Sequence, residues 1–376
     1  MGIKSTRSKS VGKLLNAWRS VDVTGNGPII NTSFKTDRFQ PAAMNASGGT
    51  KVVVGSDTWH IFYGGPEDGP NIFTVVEGPT GPGGTCEILV LGGGGGGGYF
   101  YGDAGGAGGA FHHTSYPITN ANPYTCALGE GGESECAPGG GGTRGEDTDF
   151  YPTPAGAGFG SSGQIRAWGG AGGNANGAPA ASDPSSPIHS GCLGGIHYPG
   201  TLNPTFPSQT FPPGGNAYAY RGGHGPETPG NQARGGGGLG GNIPDEGGSM
   251  GAPGRAFPSF PGPGMWPGIP SPVQAELTTT WRDTLGPTGL MGGGGNAWIP
   301  GTGPWPDPTG GNYPTSRTPG GGGGYPADPT GGSPIGAGVN YTGSGGGGPY
   351  AGNNPTDCGS DGGHSIVMIK YATGPL

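Results

Sequence analysis

The rhythm of apolar and polar positions changes along this chain. In residues 9–20, Val11, Leu14, Leu15 and Trp18 recur at i, i+3, i+4 and i+7. This is one apolar helical face with a basic face opposite. A helix this short is marginal alone, so it is predicted to dock on a partner protein or on its own chain. From residue 50 the pattern becomes strand-like. Val52–Val54, Trp59–Tyr63, Ile72–Val76 and Glu87–Leu91 are β-branched or aromatic runs bounded by Gly, Pro, Asp and Asn. Ser115–Thr119 and Tyr124–Leu128 predict a hairpin about the intervening Asn-Ala-Asn-Pro. The chain closes on Ser365–Tyr371, a nearly continuous apolar run predicted to be a strand buried on both faces. Glu87–Leu91 shares that character. The two are therefore expected to be neighbours, with everything between them an excursion.

Between residues 92 and 363 the rhythm gives way to glycine. Seven Gly run over 92–98, five over 320–324, and four over each of 139–142, 235–238, 292–295 and 345–348. One island, 271–286, reads as a short helix, with Ser271 as N-cap, Pro272 at N1, and Val273, Leu277, Trp281 and Leu285 on one face.

Composition sharpens the problem. With 95 Gly and 42 Pro among 376 residues, over a third of the chain is of types that carry little or no side chain for a core. Ordering each residue costs ~1–2 kcal/mol of backbone entropy, and Gly costs most. If the Gly runs order, backbone hydrogen bonding must drive it. Polyproline II is the candidate: three residues per turn, ~3.1 Å rise, and backbone groups pointing outward. Only Gly lets such helices approach closely enough to bond one another. The segment 104–110, Ala-Gly-Gly-Ala-Gly-Gly-Ala, has the matching period of three. Strict collagen is excluded because Gly does not recur at every third position. The expected fold is mainly β and irregular. A small β-sheet or sandwich carries a polyglycine-II bundle, with few short helices. The expected divisions are an anchoring segment (1–48), a β-rich domain (49–130), a glycine-rich bundle with Pro and aromatic loops (131–363) and a closing strand (364–376).

The net charge of −8 hides an asymmetry. Residues 1–19 hold Lys4, Arg7, Lys9, Lys13 and Arg19 and no acid. The acidic remainder argues against nucleic-acid binding. No run of 18 apolar residues exists to span a membrane, and residues 1–30 lack the apolar stretch of a signal peptide. Met1–Thr6 fits the short myristoylation pattern, which matters only in a eukaryotic cytosol. An external type of protein without a secretion signal fits release by host lysis.

Candidate chemistry is sparse. Cys86, Cys126, Cys136, Cys192 and Cys358 include no CxxC. Cys126 and Cys136 are near enough to pair, although buried free thiols are the better expectation. His189, Cys192 and His197 have a ligand-like spacing but no evident fourth ligand. Glu146, Asp147 and Asp149 lack the spacing of a calcium loop. The GxGxxG at Gly235, Gly237 and Gly240 carries no weight, since about six such matches arise by chance at this Gly content. His112-His113 has no nucleophile-elbow context. No acid–base pair, cofactor or metal is nominated, and no enzymatic activity is expected. Phe206, Phe211, Tyr218, Tyr220, Phe257, Phe260, Trp266, Trp298, Trp305, Tyr313 and Tyr325 sit beside Pro and Gly. Such rigid aromatic loops either recognise partners or shield the glycine bundle. Trp266, Trp298, Trp305, Tyr313 and Tyr325 are the receptor-contact candidates. Val11, Leu14, Leu15 and Trp18 are the anchoring candidates.

The order of motifs resembles a known family. Residues 85–91, Thr-Cys-Glu-Ile-Leu-Val-Leu, lead straight into poly-Gly. Next come Ala107-Gly-Gly-Ala-Phe111, Tyr116-Pro-Ile-Thr119 with Leu128-Gly-Glu-Gly-Gly132, and Ala167-Trp-Gly-Gly-Ala-Gly-Gly173. The close is Gly362-Gly-His-Ser-Ile-Val-Met-Ile-Lys-Tyr371. Over about 48–372 this resembles the glycine-rich domain of phage and marine-virus tail-fibre-like proteins. Cys86 and Cys126 within strands, and a long Pro/aromatic insertion from about 178 to 345, depart from its pattern. The resemblance implies a virion protein, a tail fibre or receptor-binding adhesin whose loops touch a host receptor. A capsid decoration or head fibre without receptor binding is the alternative. It implies attachment to other virion proteins through the N-terminus, a surface position on the particle, and a homo-oligomer, with a trimer favoured.

Overall fold

The computed structural model describes residues 44–63, 71–77, 84–99, 102–119, 122–134, 140–153, 164–173, 191–192, 194, 215–220, 222, 234–241, 251–257, 259–260, 271, 289–297, 336–348 and 358–372. The chain divides into two units, Met1–Ala42 and Ala43–Leu376, and every described residue belongs to the second. The helix predicted over 9–20, with Val11, Leu14, Leu15 and Trp18, lies outside the described residues, as does 272–286.

The architecture is mainly β, with almost no helix among the described residues. The strands are β1 (Asn45–Ser47), β2 (Thr50–Val54), β3 (Asp57–Phe62), β4 (Asn71–Glu77), β5 (Gly84–Leu91), β6 (Ala110–Ile118) and β7 (Tyr124–Ala127). They continue with β8 (Thr148–Pro152), β9 (Ile165–Ala167), β10 (Gly215–Tyr218), β11 (Arg255–Ala256), β12 (Leu290–Met291) and β13 (Ile366–Ala372). A five-stranded sheet has the order β1-β4-β7-β8-β9, a six-stranded sheet the order β10-β6-β5-β13-β3-β2, and β11 pairs with β12. All these pairings are antiparallel.

The expected closure is present. β13 lies directly beside β5, with Ile366 opposite Leu91 and Ile369 opposite Ile88. Alternation along both strands explains why they read as continuous apolar runs. Ile88, Val90, Val367 and Ile369 enter one buried cluster. Leu89, Leu91, Ile366 and Met368 enter another on the opposite face. The first cluster also holds Phe73, Tyr124, Cys126, Phe150 and Ile165 of the five-stranded sheet, so side chains of both sheets share one core. The second is completed by Ala107, Cys192, Leu239, Phe257, Phe260, Met291 and Val339, all contributed from within the glycine-rich region. The six-stranded sheet is thus buried on both faces, by a sheet on one side and by the glycine-rich region on the other.

One expectation is corrected. The hairpin of Ser115–Thr119 with Tyr124–Leu128 does not form. β6 pairs with β5 and β10 in one sheet, while β7 pairs with β4 and β8 in the other. Both strands present large inward side chains, and these meet face to face in the core. Tyr124 stacks on Phe150 at 5.1 Å, and Tyr116 meets the same ring edge-on at 5.7 Å. The Thr119 amide donates to the Tyr124 hydroxyl at 3.0 Å across the connection. Cys126 is a buried free thiol, as expected in preference to pairing with Cys136. The strands also run past residue 130: β8, β9 and β10 belong to the same two sheets.

Candidate functional site

Beyond Leu91 the chain becomes glycine-rich, and its backbone hydrogen-bonds to runs that continue strands of both sheets. Stacked sheets normally lie ~10 Å apart because side chains fill the gap, whereas neighbours within a sheet are ~4.8 Å apart. Residues 92–98 extend β5, 102–109 lead into β6, 140–147 lead into β8, 168–173 extend β9 and 358–365 lead into β13. With glycine in these extensions, backbones from opposite sheets reach hydrogen-bonding distance.

Residues 92–99 show the resulting order. Gly92, Gly95 and Gly98 donate to the carbonyls of Gly109, Gly106 and Asp103 at 2.9, 2.8 and 3.0 Å. Gly93, Gly96 and Tyr99 donate to Glu146, Thr143 and Gly140 at 3.0, 3.0 and 3.1 Å. Gly94 and Gly97 donate to Gly363 and Ser360 at 2.9 Å each. Every third residue therefore faces the same neighbour. The first and third neighbours extend the six-stranded sheet, and the second belongs to the other sheet.

The adjacent run repeats the pattern. Ala104 and Ala107 donate to Arg234 and Gly237, Gly105 and Gly108 to Gly346 and Gly343, and Gly106 and Gly109 to Ala171 and Trp168. Further bonds carry the array outward: Gly295 donates to Gly105, Gly236 to Gly295, and Ala252 to Gly236.

Close approach is why these positions are glycine. A Cβ on Gly93 would lie 1.9 Å from the Glu130 carbonyl oxygen, and one on Gly95 2.1 Å from that of Ala171. Side chains enter only where the period leaves space, as at Ala104, Ala107 and Ala110, all of which are buried.

Among the described residues, two side-chain clusters flank this array. On the outer face of the six-stranded sheet, His112 Nε2 meets Glu87 Oε1 at 2.8 Å, and Trp59 Nε1 donates to the Ser259 carbonyl at 3.0 Å. Phe257 and Phe260 lie edge-on to His112 at 5.4 and 6.3 Å. Burial pushes the Glu87 carboxyl up, but hydrogen bonds from His112 and Ser259 and the His112 and Lys370 charges outweigh it and hold it below its ordinary value. The pair is diagonal across β5 and β6, where Leu89 faces His112, and strand alternation alone did not reveal it because it does not say that these two strands are neighbours. The second cluster surrounds Trp168, with the Arg144 and Arg166 guanidinium carbons 5.9 and 5.3 Å from its ring. Arg166 grips Asp149 with two bonds of 2.6 Å. Asp147 accepts from Arg144 and, at 2.9 Å, from the Gly169 amide. The acidic triplet Glu146, Asp147 and Asp149 is therefore engaged by arginines and backbone amides of the array.

The aromatic candidates divide. Phe257 and Phe260 are buried, and Tyr218 and Tyr220 are partly buried against the same cluster, so these four shield the sheet. Tyr218 also carries Arg255 4.0 Å above its ring. Trp266, Trp298, Trp305, Tyr313 and Tyr325 lie outside the described residues, as do Phe206, Phe211, His189 and His197. Cys192, the one described member of the ligand-like triplet, is buried and free, and burial pushes its thiol up to about 12. It accepts a hydrogen bond from the Tyr220 amide at 3.3 Å. Among the described residues no group of three or more His, Cys, Asp and Glu is placed to hold a metal. No helix among them is long and apolar enough to cross a membrane. No family model matches the chain, and no curated protein matches it.

Proposed function

We propose that this chain is a virion structural protein, a tail fibre or receptor-binding adhesin, in which a β-sandwich carries a bundle of polyglycine-II helices that displays loops. The observation that carries the reading is the three-residue repeat of inter-run bonds about Gly92–Gly98. It matches the threefold screw of a polyproline-II chain, and none of these glycines has φ between +20° and +160°. Such a bundle is a rigid platform built with almost no side-chain core, and it leaves inter-run loops free to vary. No acid–base constellation is nominated, so the reading is non-enzymatic. The basic first nineteen residues supply the docking end, through Val11, Leu14, Leu15 and Trp18. The aromatic loops between about 200 and 330, with Trp266, Trp298, Trp305, Tyr313 and Tyr325, supply the outward end.

Purified protein binding to susceptible cells tests this reading directly. Deleting residues 1–42 should abolish incorporation into particles and leave the second unit, which begins with β1 and its buried Met44 and Ala46, folded. Replacing Trp266, Trp298 and Trp305 together with Ala should reduce adsorption and leave assembly intact, since hot-spot aromatics typically cost at least ~2 kcal/mol when truncated. Normal adsorption by the triple variant would favour a capsid decoration or head fibre over an adhesin.

A further inference from the structure

We propose that His60 is an acid-operated latch on β1: while neutral, its ring ties that strand to the six-stranded sheet, and protonation frees the strand to open about Gly48–Gly49. β1 is the edge strand of the five-stranded sheet, and β2 is the edge strand of the six-stranded one. The two glycines between them therefore carry the chain from one sheet to the other. Both have positive φ, +106° and +56°, and a Cβ on Gly48 would lie 1.8 Å from the Ile72 carbonyl oxygen. Only glycine makes so tight a corner, and the corner is the bend about which the edge strand can move.

Both nitrogens of the His60 ring hold this corner. Nδ1 lies 2.7 Å from the Gly48 carbonyl oxygen, and Nε2 lies 3.1 Å from the Tyr371 hydroxyl. That hydroxyl accepts from the Ala46 amide at 3.1 Å. A carbonyl can only accept, so Nδ1 carries the proton, and Nε2 accepts from Tyr371. Every member of the chain from Gly48 to Ala46 is then satisfied, and His60 is fully buried.

A second ring proton breaks the pattern. Nε2–H and the Ala46 amide would both donate to the Tyr371 oxygen, and the hydroxyl proton would lose its acceptor inside the core, where an unmade bond is costly. No opposite charge compensates. The ring is faced by Tyr371 from β13, Phe73 from β4 and Lys51 from β2. Behind Tyr371, burial keeps the Cys86 thiol neutral. β1 itself brings Asn45, Ala46 and Ser47, none of them charged. Lys51 is a second cation, and it also donates to Asn45 Oδ1 at 3.0 Å. Opening β1 admits water to the ring, so the charged form gains most from opening. Burial, helped by the Lys51 charge, holds the folded value below the ordinary 6.5 despite the Gly48 bond. The closed state thus keeps its full advantage above 6.5 and loses it as pH falls toward the folded value, by up to about tenfold in the opening equilibrium per pH unit. Residues 1–42 directly precede this strand in sequence, so a freed β1 lengthens their tether to the sandwich. The latch does not depend on the virion reading.

Hydrogen exchange of the Ala46 amide in the full-length protein tests it. Between about pH 7.5 and about pH 5 its opening, corrected for the intrinsic pH dependence of exchange, should become about tenfold more frequent. The opening should also be insensitive to low guanidinium, as a local event exposes little surface. In His60→Asn it should not change over that range. Wild-type opening that is independent of pH, that follows guanidinium as steeply as Ile88–Leu91, or that responds to pH equally in the variant would overturn the proposal. Ring nitrogen shifts of the wild type give a check that needs no variant. At about pH 7.5 the His60 proton should sit on Nδ1, and a proton on Nε2 instead would contradict the latch.

Discussion

The two-sheet core and the glycine array lie in one compact unit and begin from the same strands, yet they hold together by opposite means. In the core, Phe62, Phe73, Phe111 and Phe150 are fully buried, and backbone bonds run only within each sheet. In the array glycine replaces most side chains, and backbone bonds run in several directions from each run. The lesson is that where side chains give way to glycine, neighbouring runs come to backbone contact and hydrogen bonding takes over from apolar burial. The two regions should therefore fail to opposite substitutions, the core to lost volume and the array to added volume.

The largest effect is expected from adding one methyl group to the array. Gly95→Ala places a Cβ 2.1 Å from the Ala171 carbonyl oxygen and 2.4 Å from its carbon. The Ala171–Gly172 backbone it meets is itself held in the array, so we expect a loss beyond about 4 kcal/mol, outside the usual range for a point change, or failure to fold. Gly55→Ala is the control. It has φ of +61° and nothing within 4 Å of the new Cβ, so only the ~1–2 kcal/mol left-handed penalty applies. Equal losses in denaturant titrations of the two variants would sink the close-approach argument.

Removing volume from the core comes next. Phe150→Ala should cost about 3–5 kcal/mol, and it should lower the melting of core and array together if they cooperate. Separate transitions, followed by circular dichroism and by hydrogen exchange of Gly92–Gly98, would show that the array stands without the sheets.

Acid should weaken the core by a smaller amount. Burial is the largest influence on His60 and, with the nearby Lys51 charge, holds its pKa below the ordinary 6.5 despite the Gly48 carbonyl contact. The folded state therefore favours the neutral ring. This stability is fully present above 6.5 and is lost as pH falls through the folded value. Glu87 is also held below its ordinary 4.5, so its contribution is lost at still lower pH. Unfolding free energy measured from pH 8 downward should fall in two stages, and His60→Asn should remove the first. The smallest effect belongs to the outer face of the five-stranded sheet. Val76 is 57% exposed, and Val76→Thr should change stability by no more than about 0.5 kcal/mol.

Legibility in the sequence followed where the ordering force comes from. β3, β4, β5 and β13 were readable because their side chains alternate or are continuously apolar, and the β5–β13 pairing followed from that shared character. β8, β9 and β10 were not predicted. They are three to five residues long, too short to carry a clear alternation, and their partners are set by the two sheets and not by local pattern. The β6–β7 connection was misread because Asn-Pro marks a turn equally well whether the chain returns to the same sheet or crosses to the other. In the array, the alanines at every third position of 104–110 gave the period. Which runs bond to which could not be read, because glycine carries no side chain to specify a partner. The Glu87–His112 pair could not be read because neither strand's pattern names the other as its neighbour.

Native-state hydrogen exchange at Gly92–Gly98 tests the central claim most directly. If their amides bond between runs, they should exchange as slowly as those of Ile88–Leu91 in the adjoining strand, although no regular secondary structure is assigned to them. Exchange at the rate of an unstructured glycine chain, with Ile88–Leu91 still protected, would contradict the account.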